Sequence, residues 1–156
     1  MNKEQVQQRV LQNCKPLSLD KFEWDENTNT FSSSEDYLVL DFSGMNYCTF
    51  KTGSNCTFKT YSNCTFNTCY NCTFNTGSDC TFNTGSNCTF DTGSECVVVR
   101  RDVYEVIELE EGKEIKLNGW GIKGYTEVNS KKSELLKKAD ELISKAQELK
   151  DEANKI

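Results

Sequence analysis

Apolar positions in the middle of this chain recur in octads. From residue 48 to residue 95 the pattern C-T-F-x-T-G-S-N is written six times, and its two apolar positions carry Cys48, Phe50, Cys56, Phe58, Cys64, Phe66, Cys72, Phe74, Cys80, Phe82, Cys88 and Phe90. Within C-T-F-x the alternation has period two, so Cys and Phe share one face while the first Thr and the variable residue share the other. The second Thr turns inward again or closes a corner through its hydroxyl. The G-S-N that follows is turn chemistry, with Gly tolerating positive φ and Ser or Asn bonding nearby backbone. Each octad therefore predicts a five-residue strand and a corner, with Phe as the large core residue and Cys as the small one. Followed by residue type, the two columns extend back to Leu40 and Phe42. They extend forward to Cys96 and Val98, then to Tyr104 and Val106.

A repeat this short cannot bury its own apolar face and must stack on its neighbours. The predicted class is mainly β: a β-solenoid (β-helix) of octapeptide repeats with end caps and a C-terminal α-helix of coiled-coil type. Two coil geometries fit, and the period alone does not choose between them. One chain can use two octads per turn and make a flattened roll with Phe facing Phe. Alternatively, three chains wind together and each supplies one face per layer. Burying one Phe contributes roughly 1.5–3 kcal/mol, so six rows offset much of the ordering cost of a thin fold.

The flanks differ in composition. Residues 1–39 predict a short helix, with Val6, Val10 and Leu11 on one face and Pro16 ending it, then strand, Asn-rich turn and strand as an N-terminal cap. The solenoid is assigned to 40–107. Residues 108–128, with Glu-Gly-Lys and Asn-Gly turns, form a C-terminal β cap. Residues 129–156 read as a helix with its N-cap at Ser130 or Ser133. Along it Leu135, Leu142, Leu149 and Ile156 recur every seven residues, with Ala139, Ala146 and Ala153 between them. That is a heptad seam over about three heptads, read here as an oligomer contact making a homodimer or homotrimer. The alternative is docking of the seam on the solenoid of its own chain.

Composition narrows the chemistry. The chain has 156 residues, 18 Lys and Arg against 24 Asp and Glu, and a net charge of −6, which argues against phosphate-neutralising nucleic-acid binding. Histidine is absent, removing the commonest general base and most zinc sites that are not all-cysteine. Nine cysteines without an apolar leader segment point to a reducing compartment, and no run of 18 apolar residues exists to cross a membrane. The expected location is the host cytoplasm or a virion.

The repeat string also carries a resemblance. CTFKTGSN at residues 48–55 and CTFNTGSN at 80–87, with CVVVRRDVYEVIEL and IKLNGWGIKGY after them, resemble a group of uncharacterised octapeptide-repeat proteins encoded by phages and some bacteria. The resemblance covers most of residues 17–126. It implies a virus-associated β-helix and brings no functional residues with it. The octad period is similar to the intertwined β-helix of phage cell-puncturing needles, whose pattern uses Val and Gly instead. The C-x-F spacing is similar to the small-x-Phe core of pentapeptide-repeat proteins, whose period is five.

Candidate sites compete with plainer readings. The column Cys48 to Cys96 is read as small core residues rather than as a metal ladder or a set of cross-links, because metal ligands must converge on one point. Cys69, at a corner, is the exposed thiol. The outward threonines (Thr49, Thr57, Thr65, Thr73, Thr81, Thr89) resemble an ice-binding ladder, but the adjacent column Lys51, Lys59, Asn67, Asn75, Asn83, Asp91 is charged at both ends. Asn-Cys-Thr sequons at Asn55, Asn63, Asn71 and Asn87 are by-products of the repeat. Mimicry of duplex DNA needs a strongly acidic face, and residues 48–96 carry two Lys against three acids. Tyr104, Trp120 and Tyr125 are expected to cover the open end of the solenoid. Arg100 and Arg101 are expected to be solvated beside Asp102.

The expected function is a non-enzymatic structural or interaction protein of phage origin, such as a fibre, spike or accessory scaffold. It self-associates and meets a host or virion partner, with no catalytic residues, no cofactor, no metal, no nucleic acid and no membrane. An oligomeric binding protein that sequesters a small molecule or host factor is the second reading. A β-helix enzyme ranks last, because the repeats offer only Lys51, Lys59, Asp79, Asp91 and Glu95 as charged groups.

Overall fold

The computed structural model of the protein describes residues 1–128 and 131–155. The chain opens with α1 (Lys3–Gln7), β1 (Val10–Gln12), β2 (Lys15–Pro16), β3 (Glu23–Asp25), β4 (Thr30–Ser32) and β5 (Leu38–Asp41). The octads supply β6 (Thr49–Lys51), β7 (Thr57–Lys59), β8 (Thr65–Asn67), β9 (Thr73–Asn75), β10 (Thr81–Thr84) and β11 (Thr89–Asp91). Then come β12 (Cys96–Arg100), β13 (Glu105–Leu109), β14 (Ile115–Leu117), β15 (Tyr125–Glu127) and α2 (Lys131–Ala153).

One chain closes the coil by itself. Odd and even octads lie on opposite walls: β4, β6, β8, β10 and β12 pair in parallel in one sheet, and β5, β7, β9 and β11 in the other. Residues sixteen apart are hydrogen-bonded neighbours, as in Phe66↔Phe82 and Phe58↔Phe74. Residues eight apart face each other across the core. The result is a flattened β-solenoid of about four turns.

Strand spacing dictates the packing of the rings. Neighbouring strands lie about 4.8 Å apart, and the phenylalanines along each wall stack accordingly: Phe58–Phe74 and Phe74–Phe90 have centroids 5.0 Å apart and planes within 7°. Across the core the rings meet edge to face, as Phe66–Phe74 at 5.1 Å and 74°. Both arrangements suit the ring quadrupole. The rings and the seven column cysteines are almost wholly buried.

The corners work differently from the sequence expectation. Strands are mostly three residues long, and positive φ falls on the residue before each cysteine, not on the glycine: Asn55, Asn63, Asn71, Asp79, Asn87 and Glu95 all lie at 57–58°. Asn and Asp enter this left-handed region more readily than most residues. Gly instead allows close approach of successive coils. A Cβ on Gly93 would come within 2.8 Å of the Ser78 backbone nitrogen, and one on Gly77 within 2.4 Å of Ser62 Oγ. The corner backbone is bonded too, with Asn63 N–H donating to Ser78 O at 2.9 Å and Gly77 N–H to Tyr61 O at 3.1 Å. The second Thr of the octad points inward, buried at Thr52, Thr60, Thr68, Thr76, Thr84 and Thr92.

Two frame extensions are corrected. Upstream, Leu40 sits in the Phe row opposite Phe58, and Val39 opposite Thr57 places Leu38 in the Cys row. The turn through Ser43–Tyr47 adds two residues between strands. Phe42, displaced from the row, still enters the core and packs edge to face on Phe50 at 5.0 Å. Downstream, Tyr104 and Val106 are exposed, because the chain reverses and β13 pairs antiparallel to β12 with Val98 opposite Ile107. Parallel pairing thus runs from Thr30 to Arg100.

Both ends are closed by antiparallel strands. β3 covers β4 and β1 covers β5 at one end, while β13 covers β12 and β14 covers β11 at the other. At the C-terminal end Ile107, Leu109, Ile115 and Leu117 fill the cap. Tyr104, Trp120 and Tyr125 do not, being 93%, 75% and 45% exposed. The outermost strands carry charge or proline (Lys15–Pro16, Glu23, Glu105, Glu127), which discourages edge-to-edge aggregation. At the start, α1 is a single capped turn, with Asn2 and Gln5 bonding reciprocally, and Val10 and Leu11 belong to β1 rather than to the helix.

Candidate interaction site

The repeats leave little reactive chemistry at the surface. All nine cysteines are free thiols, the seven of the column are buried, and Cys14 and Cys69 are exposed. Column thiols donate to carbonyls two residues back, as Cys56 Sγ to Ser54 O at 3.4 Å. They also accept from the next coil, as Cys80 N–H to Cys96 Sγ at 3.4 Å. The Cys72 thiol beside Cys56, together with burial, pushes the Cys56 thiol well up, and Cys80 with burial does the same to Cys96. Cys72 is drawn down by its bond with Cys56, yet Cys88 and burial outweigh this and push it up to about 12. Cys48 and Cys88 are shifted down by their bonds to Cys64 and Cys72. Among the described residues no three metal-ligating side chains converge.

Arg100 departs from the sequence expectation most. It occupies the row of the inward threonines, opposite Thr84, and is fully buried. Its Nη2 lies 2.6 Å from Asp102 Oδ2 and its Nε 3.1 Å from Oδ1, a bidentate pair with both side chains at 0% exposure. The loop joining β14 to β15 completes the shell: Nη1 donates to Ile122 O at 2.7 Å and Nη2 to Gly119 O at 3.3 Å, while Gly121 N–H donates to Asp102 Oδ2 at 3.1 Å. Burial raises the Asp102 carboxyl, but the Arg100 and Gly121 bonds and the Arg100 charge outweigh it and hold it below its usual value. The pair clamps the C-terminal cap to the last coil and is not free to grip a partner.

Arg101 points outward and bonds Asn67 Oδ1 at 2.6 Å and the Thr68 carbonyl. Beside it one corner is irregular, because Cys69 and Tyr70 replace Gly and Ser. With Gly85, Arg101, Asp102 and Trp120 they line a mainly apolar cleft of about 260 Å³. A wider, open groove of about 490 Å³ lies at the other end, between Asp20–Glu23 and Ser32–Ser34, and reaches Lys51 and Asn67.

Among the described residues, α2 carries a continuous run of exposed apolar side chains. Every described side chain from Glu134 to Lys155 is exposed, so the seam of Leu135, Ala139, Leu142, Ala146, Leu149 and Ala153 does not pack on its own solenoid. Leu135, Leu142 and Leu149 are 57–67% exposed, and so are Leu136 and Ile143 beside them. Those last two also recur at seven residues and widen the stripe beyond the Leu–Ala seam. Ile156 and the N-cap candidate Ser130 lie outside the described residues, and Ser133 lies within the helix rather than at its cap. Among the described residues no helix is long and apolar enough to cross a membrane.

No protein-family model, no curated protein and no solved structure matches the chain.

Proposed function

We propose that the protein is a non-enzymatic structural or interaction scaffold of phage origin, a rigid capped rod that self-associates through its terminal helix and meets a host or virion partner. The observation that carries this reading is the exposed apolar stripe of α2, five large side chains in two seven-residue columns, on a chain whose other large apolar side chains mostly lie in one core. A helix left with such a stripe gains by burying it against another surface. The parallel coils and charged outer strands supply stiffness and solubility rather than a reacting centre.

Light scattering of the full chain against one ending at Asn129 tests the self-association. The full chain is expected as an oligomer and the shortened chain as a monomer; the same multiple in both ends the reading of α2 as the contact. Purified virions test the structural role, since a fibre, spike or scaffold protein remains with the particles or their assembly intermediates.

A second reading, an oligomeric protein that sequesters a small molecule or host factor, draws on the apolar cleft beside Tyr70 and Trp120. Native mass spectrometry of the protein taken directly from cells distinguishes it by the extra mass of a retained ligand.

A further inference from the structure

The order of small, large and charged residues on α2 says how two copies meet. From the geometry of this helix we infer that its partner is the α2 of a second copy of this chain, running antiparallel, with Ala146 of each helix facing Leu142 of the other. This rests on the self-association proposed above.

The seam alternates in steps of four and three: Leu135, Ala139, Leu142, Ala146, Leu149, Ala153. Laid parallel, two such helices place Ala against Ala and Leu against Leu, so layer volume alternates between small and large along the seam. Laid antiparallel about Ser144, every alanine meets a leucine: Leu135 with Ala153, Ala139 with Leu149, Leu142 with Ala146. Each layer then has the same volume, and small residues let the helices approach closely along their whole length.

The flanking positions agree. In the antiparallel register Lys138 faces Glu152 of the other copy, and symmetry makes this pair twice. On the opposite flank Ile143 meets its own copy at the two-fold axis, and Leu136 lies along the methylene stem of Lys150. All these side chains are exposed in the single chain. In the parallel register the flanking pairs are Lys138 with Ile143 and Lys145 with Lys150, one mismatched and one repulsive, each twice. The antiparallel form has one like pair, Lys145 with itself. It also places the two solenoids at opposite ends of a helix about 34 Å long, where they do not compete for space.

The test uses the full chain and two independent readouts. Sedimentation equilibrium is expected to show a dimer. Lys138→Glu and Glu152→Lys are each expected to weaken it about fivefold, while the double variant regains wild-type affinity because the charges face each other again. Nitroxide labels on Glu134→Cys and on Ser144→Cys, with Cys14 and Cys69 changed to Ser, read the direction. The 134 pair is expected to be longer than the 144 pair, reflecting an axial offset of about 30 Å. A dimer whose 134 pair is no longer than its 144 pair, with additive charge effects, overturns the antiparallel pairing while leaving self-association intact. A mass of three or more copies also overturns it. A chain that stays monomeric overturns the pairing and the proposed self-association together.

Discussion

Arg100 and Asp102 form a buried, bidentate ion pair at the row where every octad before it carries a threonine. The guanidinium is bonded on three sides, to the Asp102 carboxylate, to Gly119 O and to Ile122 O. A buried charge survives only when its partners are complete, so the pair makes closure of the cap conditional on the loop that follows β14. Removing one partner is therefore expected to cost more than any single hydrogen bond. Asp102→Asn or Arg100→Thr should lower stability by about 3–5 kcal/mol, and Arg100→Thr with Asp102→Ser should recover part of it. Urea unfolding of the three variants decides this; an unchanged midpoint for Arg100→Thr would refute the clamp.

The same pair sets an acid limit. Because the folded Asp102 carboxyl lies below its unfolded value, its contribution is complete above about pH 4 and is lost as pH falls through the folded value. Stability measured from pH 6 downward should fall more steeply in the wild type than in Asp102→Asn.

At the alkaline end the buried thiols whose ionisation the fold opposes act with the opposite sign. Cys56, Cys72 and Cys96 are raised in the fold, so their contribution is whole below about pH 8.5 and is lost as pH rises toward the folded values. Each thiol that stays protonated while its unfolded form ionises removes about 1.4 kcal/mol per pH unit. Unfolding midpoints at about pH 7.5 and pH 10 should differ accordingly, and Cys72→Ala should narrow the gap. In native protein at neutral pH only Cys14 and Cys69 should react promptly with a thiol reagent, the other seven reacting on unfolding.

Glycine substitutions separate close approach from chain flexibility. Gly93→Ala places a methyl 2.8 Å from the Ser78 nitrogen, whereas Gly85→Ala meets nothing nearer than 3.5 Å. Neither glycine has positive φ. Gly93→Ala should destabilise by about 1–3 kcal/mol, and Gly85→Ala should be neutral or stabilising by up to about 1 kcal/mol. Thermal unfolding of the pair measures the difference, and equal effects would contradict the stacking role.

Core truncation should be dearest in mid-stack. Phe74 touches Phe58, Phe66, Phe82 and Phe90, so Phe74→Ala is expected to cost about 3–5 kcal/mol. Phe74→Leu, which keeps more volume, should cost less in the same denaturant titration.

Much of the fold was legible because the octad is a strong local signal. Alternation told Cys and Phe inward from Thr and Lys outward, and the turn residues marked each corner. What misled was continuation by type. Leu40 and Phe42 match the octad spacing, yet the turn at Ser43–Tyr47 carries two more residues, and pairing follows hydrogen bonds rather than spacing. Tyr104 and Val106 match as well, but once β13 runs back along β12 the inward face falls on Ile107 and Leu109. On α2 the seam was legible as a heptad, whereas the width added by Leu136 and Ile143 emerged only from their exposure.

Periodicity in the chain specifies the rung: an eight-residue unit with a small and a large apolar side chain inward, a corner after them, and a separate helix with a seven-residue stripe. Periodicity carries that much because side-chain direction alternates with the backbone. Tertiary structure decided that two octads make a turn, so that residues sixteen apart share hydrogen bonds and residues eight apart meet across the core. It also decided which residue takes the strained backbone and which glycine permits close stacking, and it buried Arg100. The loop at Gly119–Ile122 and the carboxylate of Asp102 together supply what that charge requires, and no local pattern contains bonds made between positions 19 and 22 residues apart.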